Sequence, residues 1–235
     1  GKPPMEFQAA LAVNASNDVE YVSKLKQMCS EIASGWHGDL PHEIPVMPEI
    51  VLPRHGKNIS PDRFSIGLSN DDILPVVLPK DTRIIIVSGT EASGKSNILN
   101  VIANQLTERP GMVFVDAAHD DECGEKIAEA VRKAVAGEPM TLLVDDLPHW
   151  LTSADYTETD HLEELIRDIR NNSFSLYATG DSAELARDGG GVVSKMIQAG
   201  CAILLGGSFN EHSSQFEANN ISYSEQSEPL PPHYG

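Results

Sequence analysis

Apolar and polar positions change their period along this chain. From Phe64 to Leu78 they form short mixed runs, Phe64-Ser65-Ile66-Gly67-Leu68 and Leu74-Pro75-Val76-Val77-Leu78. These predict two short strands that turn at Ser69-Asn70-Asp71-Asp72. At Ile84-Ile85-Ile86-Val87 the run becomes unbroken, as in a strand buried on both faces. Later runs predict strands over 112–116, 141–145, 174–179 and 202–205. Between them, helical periodicity predicts helices over 97–105, 122–136, 159–171 and 192–199. Strands alternating with such helices need crossover connections. The expected fold class is therefore α/β, a mostly parallel sheet flanked by helices.

Residues 1–62 read as an appendage and 63–235 as the module proper. Glu6 to Val13 is expected to be a strand. Asn17 and Asp18 then cap a helix with Val19, Val22, Leu25, Met28, Cys29 and Ile32 on one face. The next stretch is punctuated by Pro41, Pro45, Pro48, Pro53 and Pro61, with Ile44, Val46, Met47, Ile50, Val51 and Leu52 between them. That apolar content predicts an extended strap laid on a surface, because a free tether would be poorer in it. No internal repeat or low-complexity tract interrupts the chain. It opens Gly1-Lys2-Pro3-Pro4 without an initiator Met or a signal peptide, and closes Leu230-Pro231-Pro232-His233-Tyr234-Gly235. It is read as a piece of a longer protein. No apolar run approaches the roughly 18 residues that span a bilayer, so this piece is expected to be soluble.

The Ile84–Val87 strand runs into Gly89-Thr90-Glu91-Ala92-Ser93-Gly94-Lys95-Ser96, a complete Gly-x-x-x-x-Gly-Lys-Ser loop, and a helical pattern follows from Asn97. Strand, loop and helix in that order are the context that makes the motif a phosphate cradle. Gly89 and Gly94 let the backbone curl so that successive N–H groups point into one concavity at a helix N-terminus. Residues 89–97 are thus the expected nucleotide-binding segment, for ATP with Mg2+. Lys95 is expected to reach the β- and γ-phosphates, and Ser96 to hold Mg2+.

Leu142-Leu143-Val144-Asp145-Asp146 supplies the second part. An apolar strand ending in acid puts the Asp145 carboxylate beside the phosphate loop as the second Mg2+ anchor. Asp146 stands where many motor ATPases carry Glu to polarise the attacking water. Its side chain is a methylene shorter, and a misplacement of about 1 Å can cost roughly 100-fold, so slow or conditional hydrolysis is expected. Thr179 ends the next strand and either senses the γ-phosphate or merely starts a turn. Asp116 is read as a loop cap. Arg187 and Lys195 are weaker candidates for action in trans, and His149-Trp150 reads as a packing or interface element.

Cys29, Cys123 and Cys201 are widely spaced, and the eight histidines show no ligand spacing. The cysteines read as small apolar residues in a reducing compartment. Seventeen Lys and Arg against 35 Asp and Glu leave a net charge of −18. The stretch 196–235 holds no Lys or Arg at all. A DNA-gripping protein needs clustered cations, so nucleic acid is not the expected partner.

Together these motifs resemble the FtsK/SpoIIIE-type ATPase modules of type VII secretion motors, the EccC/EssC family, and specifically the last of their tandem modules. Met5 to Leu11 resembles the strand that closes the preceding module, and Trp36-His37-Gly38 through Pro48-Glu49 the intermodule strap. Ser65-Ile66-Gly67-Leu68 with Asp71 to Val76, then the nucleotide motifs, then Gly189-Gly190-Gly191 to Gly206-Gly207 and Leu230-Pro231-Pro232, follow the family's order. The resemblance implies a RecA-like P-loop ATPase in a cytoplasmic domain of a cell-membrane protein. Implied partners are neighbouring ATPase modules of the same chain, secreted WXG-type proteins and other membrane components of the secretion system, with a homo-oligomer as an option in the longer protein. It also implies docking of cargo signals and weak or conditional hydrolysis. Two alternatives stay open: an interaction module holding ATP as a structural ligand, and a DNA translocase, which the charge disfavours. A small-molecule kinase would need an acceptor site or basic lid that is not evident.

Overall fold

The computed structural model describes residues 12–38, 46–51, 60, 62–188, 191–212, 216 and 226–231. The chain divides into two compact units, Gly1–Pro45 and Val46–Gly235. In the first, helix α1 (Asp18–Gly35) begins where the Asn17 side chain accepts a hydrogen bond from the Glu20 N–H. No residue of α1 is buried. The strand expected over Glu6–Val13 falls almost wholly outside the described residues, and Ala12 and Val13 form a bend. Most of the proline strap also lies outside them.

The second unit opens with an antiparallel pair, β1 (Arg63–Leu68) and β2 (Pro75–Pro79), bulged between Ser65 and Gly67. The main sheet holds β3 (Ile84–Gly89), β4 (Met112–Asp116), β5 (Met140–Asp145), β6 (Phe174–Asp181) and β7 (Cys201–Leu205). Its strands are all parallel, in the order β4-β5-β6-β3-β7. The helices are α2 (Lys95–Gln105), α3 (Cys123–Val135), α4 (Leu147–Leu151), α5 (Tyr156–Arg167), α6 (Ser182–Leu185), α7 (Val192–Ala199) and α8 (Phe209–His212). This is the expected α/β fold, RecA-like, with helices on both faces of the sheet.

The pleat divides each central strand between two cores. Ile84 and Ile86 of β3, Leu142 and Val144 of β5, and Leu176 and Ala178 of β6 pack with α3, α5 and α7. Ile85, Val87, Leu143 and Tyr177 point the other way, onto Leu99, Ile102 and Leu106 of the α2 segment and Phe64 of β1. Every residue of β3 is buried. Gln105 fastens the end of α2 to β1 by a reciprocal pair of bonds with the Ser65 backbone, at 2.9 and 2.8 Å.

Three short helices, α4, α6 and α8, were not expected, and among the expected ones α5 departs most in its bounds. The pattern at 159–171 predicts a later start and a later end, but the Asp155 side chain accepts from the Thr157 N–H and starts α5 at Tyr156, and the helix stops at Arg167. Its last turn then gives way to the bend that delivers β6.

Candidate nucleotide-binding site

The sheet order decides the geometry of the site. β6 lies between β3, which feeds the phosphate loop, and β5, which ends in Asp145. Asp145 is therefore one strand removed from the loop, and Thr179 of β6 stands between them.

The loop itself is shaped by backbone that ordinary residues avoid. Ala92 has φ +57° and Gly94 has φ +98°, so both lie in the left-handed region that turns the chain into α2. Gly89 is held so closely that an added Cβ would sit 2.3 Å from Ser93 Oγ and 2.7 Å from the Leu205 carbonyl. The Lys95 ammonium donates to the carbonyls of Gly89, at 3.0 Å, and Thr90, at 2.6 Å. Ser93 is 1% exposed and its hydroxyl has no partner among the described residues. Ser96 and Asn97 are exposed at the first turn of α2, as is Glu91 in the loop. A cradle whose lysine spans loop carbonyls, with an orphaned hydroxyl beneath, fits a bound phosphate.

At the ends of β5 and β6 one hydroxyl does two things. Thr179 Oγ1 donates to Asp145 Oδ1 at 2.5 Å and accepts from the Asp146 backbone N–H at 2.9 Å. Thr179 is 1% exposed. Its single proton is committed to Asp145, so in this arrangement it orients that carboxylate. Of the two readings the sequence left open, γ-phosphate sensor and start of a turn, neither names this contact. Asp146 has φ +61° and immediately precedes α4, whose second residue is Pro148. Left-handed backbone at a non-glycine residue costs on the order of 1–2 kcal/mol, and Asp tolerates it better than most.

A second polar cluster, which no motif announces, gathers where β3 ends. His212 of α8 is 3% exposed. Its Nδ1 stands 3.0 Å from Ser88 Oγ and 2.9 Å from Ser182 Oγ, and its Nε2 3.0 Å from the Gly206 carbonyl. The carbonyl fixes a proton on Nε2, leaving Nδ1 to accept from a serine. The cluster joins the end of β3 to the segments that follow β6 and β7. Gly207 beyond β7 pairs in turn with Leu230, through bonds of 3.0 and 2.8 Å.

The remaining candidates fall outside the site. Asp116 caps its own loop, accepting from the Ala118 N–H at 3.2 Å and pairing with His119 at 3.0 Å. Trp150 is a core residue, 1% exposed, while His149 beside it is exposed. Arg187 lies in a short helical turn and Lys195 midway along α7. Among the described residues no group of His, Cys, Asp and Glu is arranged to hold a metal by itself.

No protein-family model matches this chain, and no curated protein does. Solved structures do. EssC ATPases 2 and 3 from Geobacillus thermodenitrificans match with a TM-score of 0.68 and 18% identity, over 92% of this chain and 48% of that one. The cytoplasmic domain of the Thermomonospora curvata type VII secretion ATPase EccC gives 0.64 and 17%, over 93% of this chain and 30% of that one. ATPases 2 and 3 of the same EccC, in complex with a signal sequence peptide, give 0.64 and 17%, over 93% and 46%. The chain thus spans less than half the length of each of these structures. At such identity the likeness establishes a shared fold.

Proposed function

We propose that this chain is an ATP-binding module of a type VII secretion motor, with slow or conditional hydrolysis. The observation that carries the reading is the phosphate cradle of Gly89 to Ser96, set one strand from the Thr179-held Asp145, on the fold of secretion ATPases. The Lys95 ammonium would exchange the Gly89 and Thr90 carbonyls for phosphate oxygens. Loop N–H groups and the N-terminus of α2 would bind the same anion. Ser96 and Asp145 would hold Mg2+, which when bound neutralises charge on the phosphate oxygens. Thr179 keeps the Asp145 carboxylate in one orientation, and Asp146 would position water.

The net charge of −18 supports a polypeptide cargo over nucleic acid. The signal-peptide complex of the EccC neighbour supports a secreted protein as that cargo, and its tandem ATPases support neighbouring modules as partners. Among the described residues no helix is long and apolar enough to cross a membrane. Residence on the cytoplasmic side of a membrane-anchored protein would rest on other segments.

Calorimetric titration with Mg-ATP tests the nucleotide site. Micromolar binding that disappears in Lys95→Ala supports it, and no binding by the wild type refutes it. A second reading is favoured by the committed Thr179 proton and the short Asp146 side chain: ATP held as a structural ligand. Turnover by the full-length protein that collapses in Asp145→Asn favours a motor. An ATP-dependent rise in Tm without turnover favours the structural ligand.

A further inference from the structure

In a chain with 17 cations against 35 acids, cations gathered without acceptors are out of keeping with the rest of the surface. Such a place lies between the end of α5 and the flank of α7, a groove of about 410 Å3 whose lining includes Arg167, Ile169, Arg170, Asn171, Lys195 and Ala199. Its volume is that of a ligand-binding cleft. Among the described residues no carboxylate pairs with Arg167, Arg170 or Lys195.

Several other cations of this unit have partners. Lys126 meets Asp120 at 2.8 Å and Lys133 meets Glu129 at 2.7 Å. Arg83 and Arg109 donate to the carbonyls of Asn172 and Lys80. Helix-end cations can serve only to offset the macrodipole. That accounts for Arg167, in the last turn of α5, but not for the others. Arg170 lies beyond the helix, and the last turn of α7 holds no basic residue.

We propose that this groove docks an acidic polypeptide segment, with carboxylates on Arg167, Arg170 and Lys195 and an apolar side chain against Ile169 and Ala199. Guanidinium forks match carboxylates in a bidentate way, and the apolar positions give a peptide something that a phosphate chain lacks. DNA carries a charge about every 1.7 Å and needs a long cationic track, whereas this patch holds three cations. The groove borders the segments that enter β6 and β7, at the end of the sheet opposite the phosphate loop.

The test is fluorescence anisotropy of a short fluorescein-labelled peptide of Glu and Leu, titrated with the whole chain at low and physiological salt. Saturable binding that salt weakens is expected. Arg167→Glu with Arg170→Glu should weaken it about tenfold or more, and Lys133→Glu, on α3, should do so far less. Both variants lie on exposed surface, and unchanged Tm would show that they fold. Absence of binding, or equal weakening by the two variants, overturns the proposal. So does tighter binding of a single-stranded oligonucleotide that the double variant abolishes, or self-association of the chain that the double variant abolishes.

Discussion

At the carboxyl ends of the parallel strands the chain collects left-handed backbone at Ala92, Gly94, Asp146, Gly206 and Gly207, together with the carboxylates of Asp145 and Asp146. At the amino ends it collects side-chain clamps. Arg109 donates to Ser175 Oγ at 2.8 Å and lies 5.9 Å from the Tyr177 ring centroid, and the Tyr177 hydroxyl donates to the Thr82 carbonyl at 2.7 Å. Burial pushes the Tyr177 phenol above its ordinary pKa, so it remains a donor throughout the neutral range. At the amino edge left-handed backbone falls only on glycines, Gly111 and Gly137, whereas at the carboxyl edge it also falls on Ala92 and Asp146, beside the acids. Left-handed backbone at non-glycine residues is a cost that the rest of the fold offsets, as expected where groups are kept poised for a ligand.

Lys95→Ala is the severest test of that division. Losing charge-assisted bonds to phosphate should weaken Mg-ATP binding roughly 100-fold, with Tm nearly unchanged. A matching fall in Tm would mean that the loop is structural and the division false. Thr179→Val removes both the donor to Asp145 and the acceptor of the Asp146 N–H. About 2 kcal/mol should be lost in denaturant unfolding, along with much of the Mg2+ dependence of binding. Tyr177→Phe acts at the opposite edge, and a loss of about 1 kcal/mol with unaltered nucleotide affinity is expected. A change in affinity there would join the two edges into one unit. The smallest effect belongs to Asp146→Gly. Relief of the left-handed backbone should raise stability by up to about 1 kcal/mol while any turnover falls, and a loss of stability would show that Asp146 is unstrained.

What was legible in the sequence was mostly local. β4 runs Met112–Asp116 and α7 runs Val192–Ala199, as their periodicities predict. The loop from Gly89 to Ser96 lies between strand and helix because neighbouring residues dictate all three. Pairing across the sheet is not local. Nothing in the residues of β6 announces that it divides β3 from β5, so the contact of Thr179 with Asp145 was beyond reach. His212 was hidden for the same reason, since its serine partners lie 124 and 30 residues away. The short helices α4, α6 and α8 carry too few residues to show a period. α4 also follows a left-handed residue that no propensity favours.

The space around Gly89 has a consequence for how this sequence can drift over evolutionary time. A methyl group there meets Ser93 and the Leu205 backbone, while one at Gly67 or Gly124 meets nothing within 4 Å. Descendants of this chain should therefore replace Gly67 and Gly124 freely and retain Gly89 even in lineages that have abandoned nucleotide. Invariance at that position records the packing of β3 against β7 as much as any chemistry above it, and counting glycines in an alignment would overstate how many relatives still bind a phosphate.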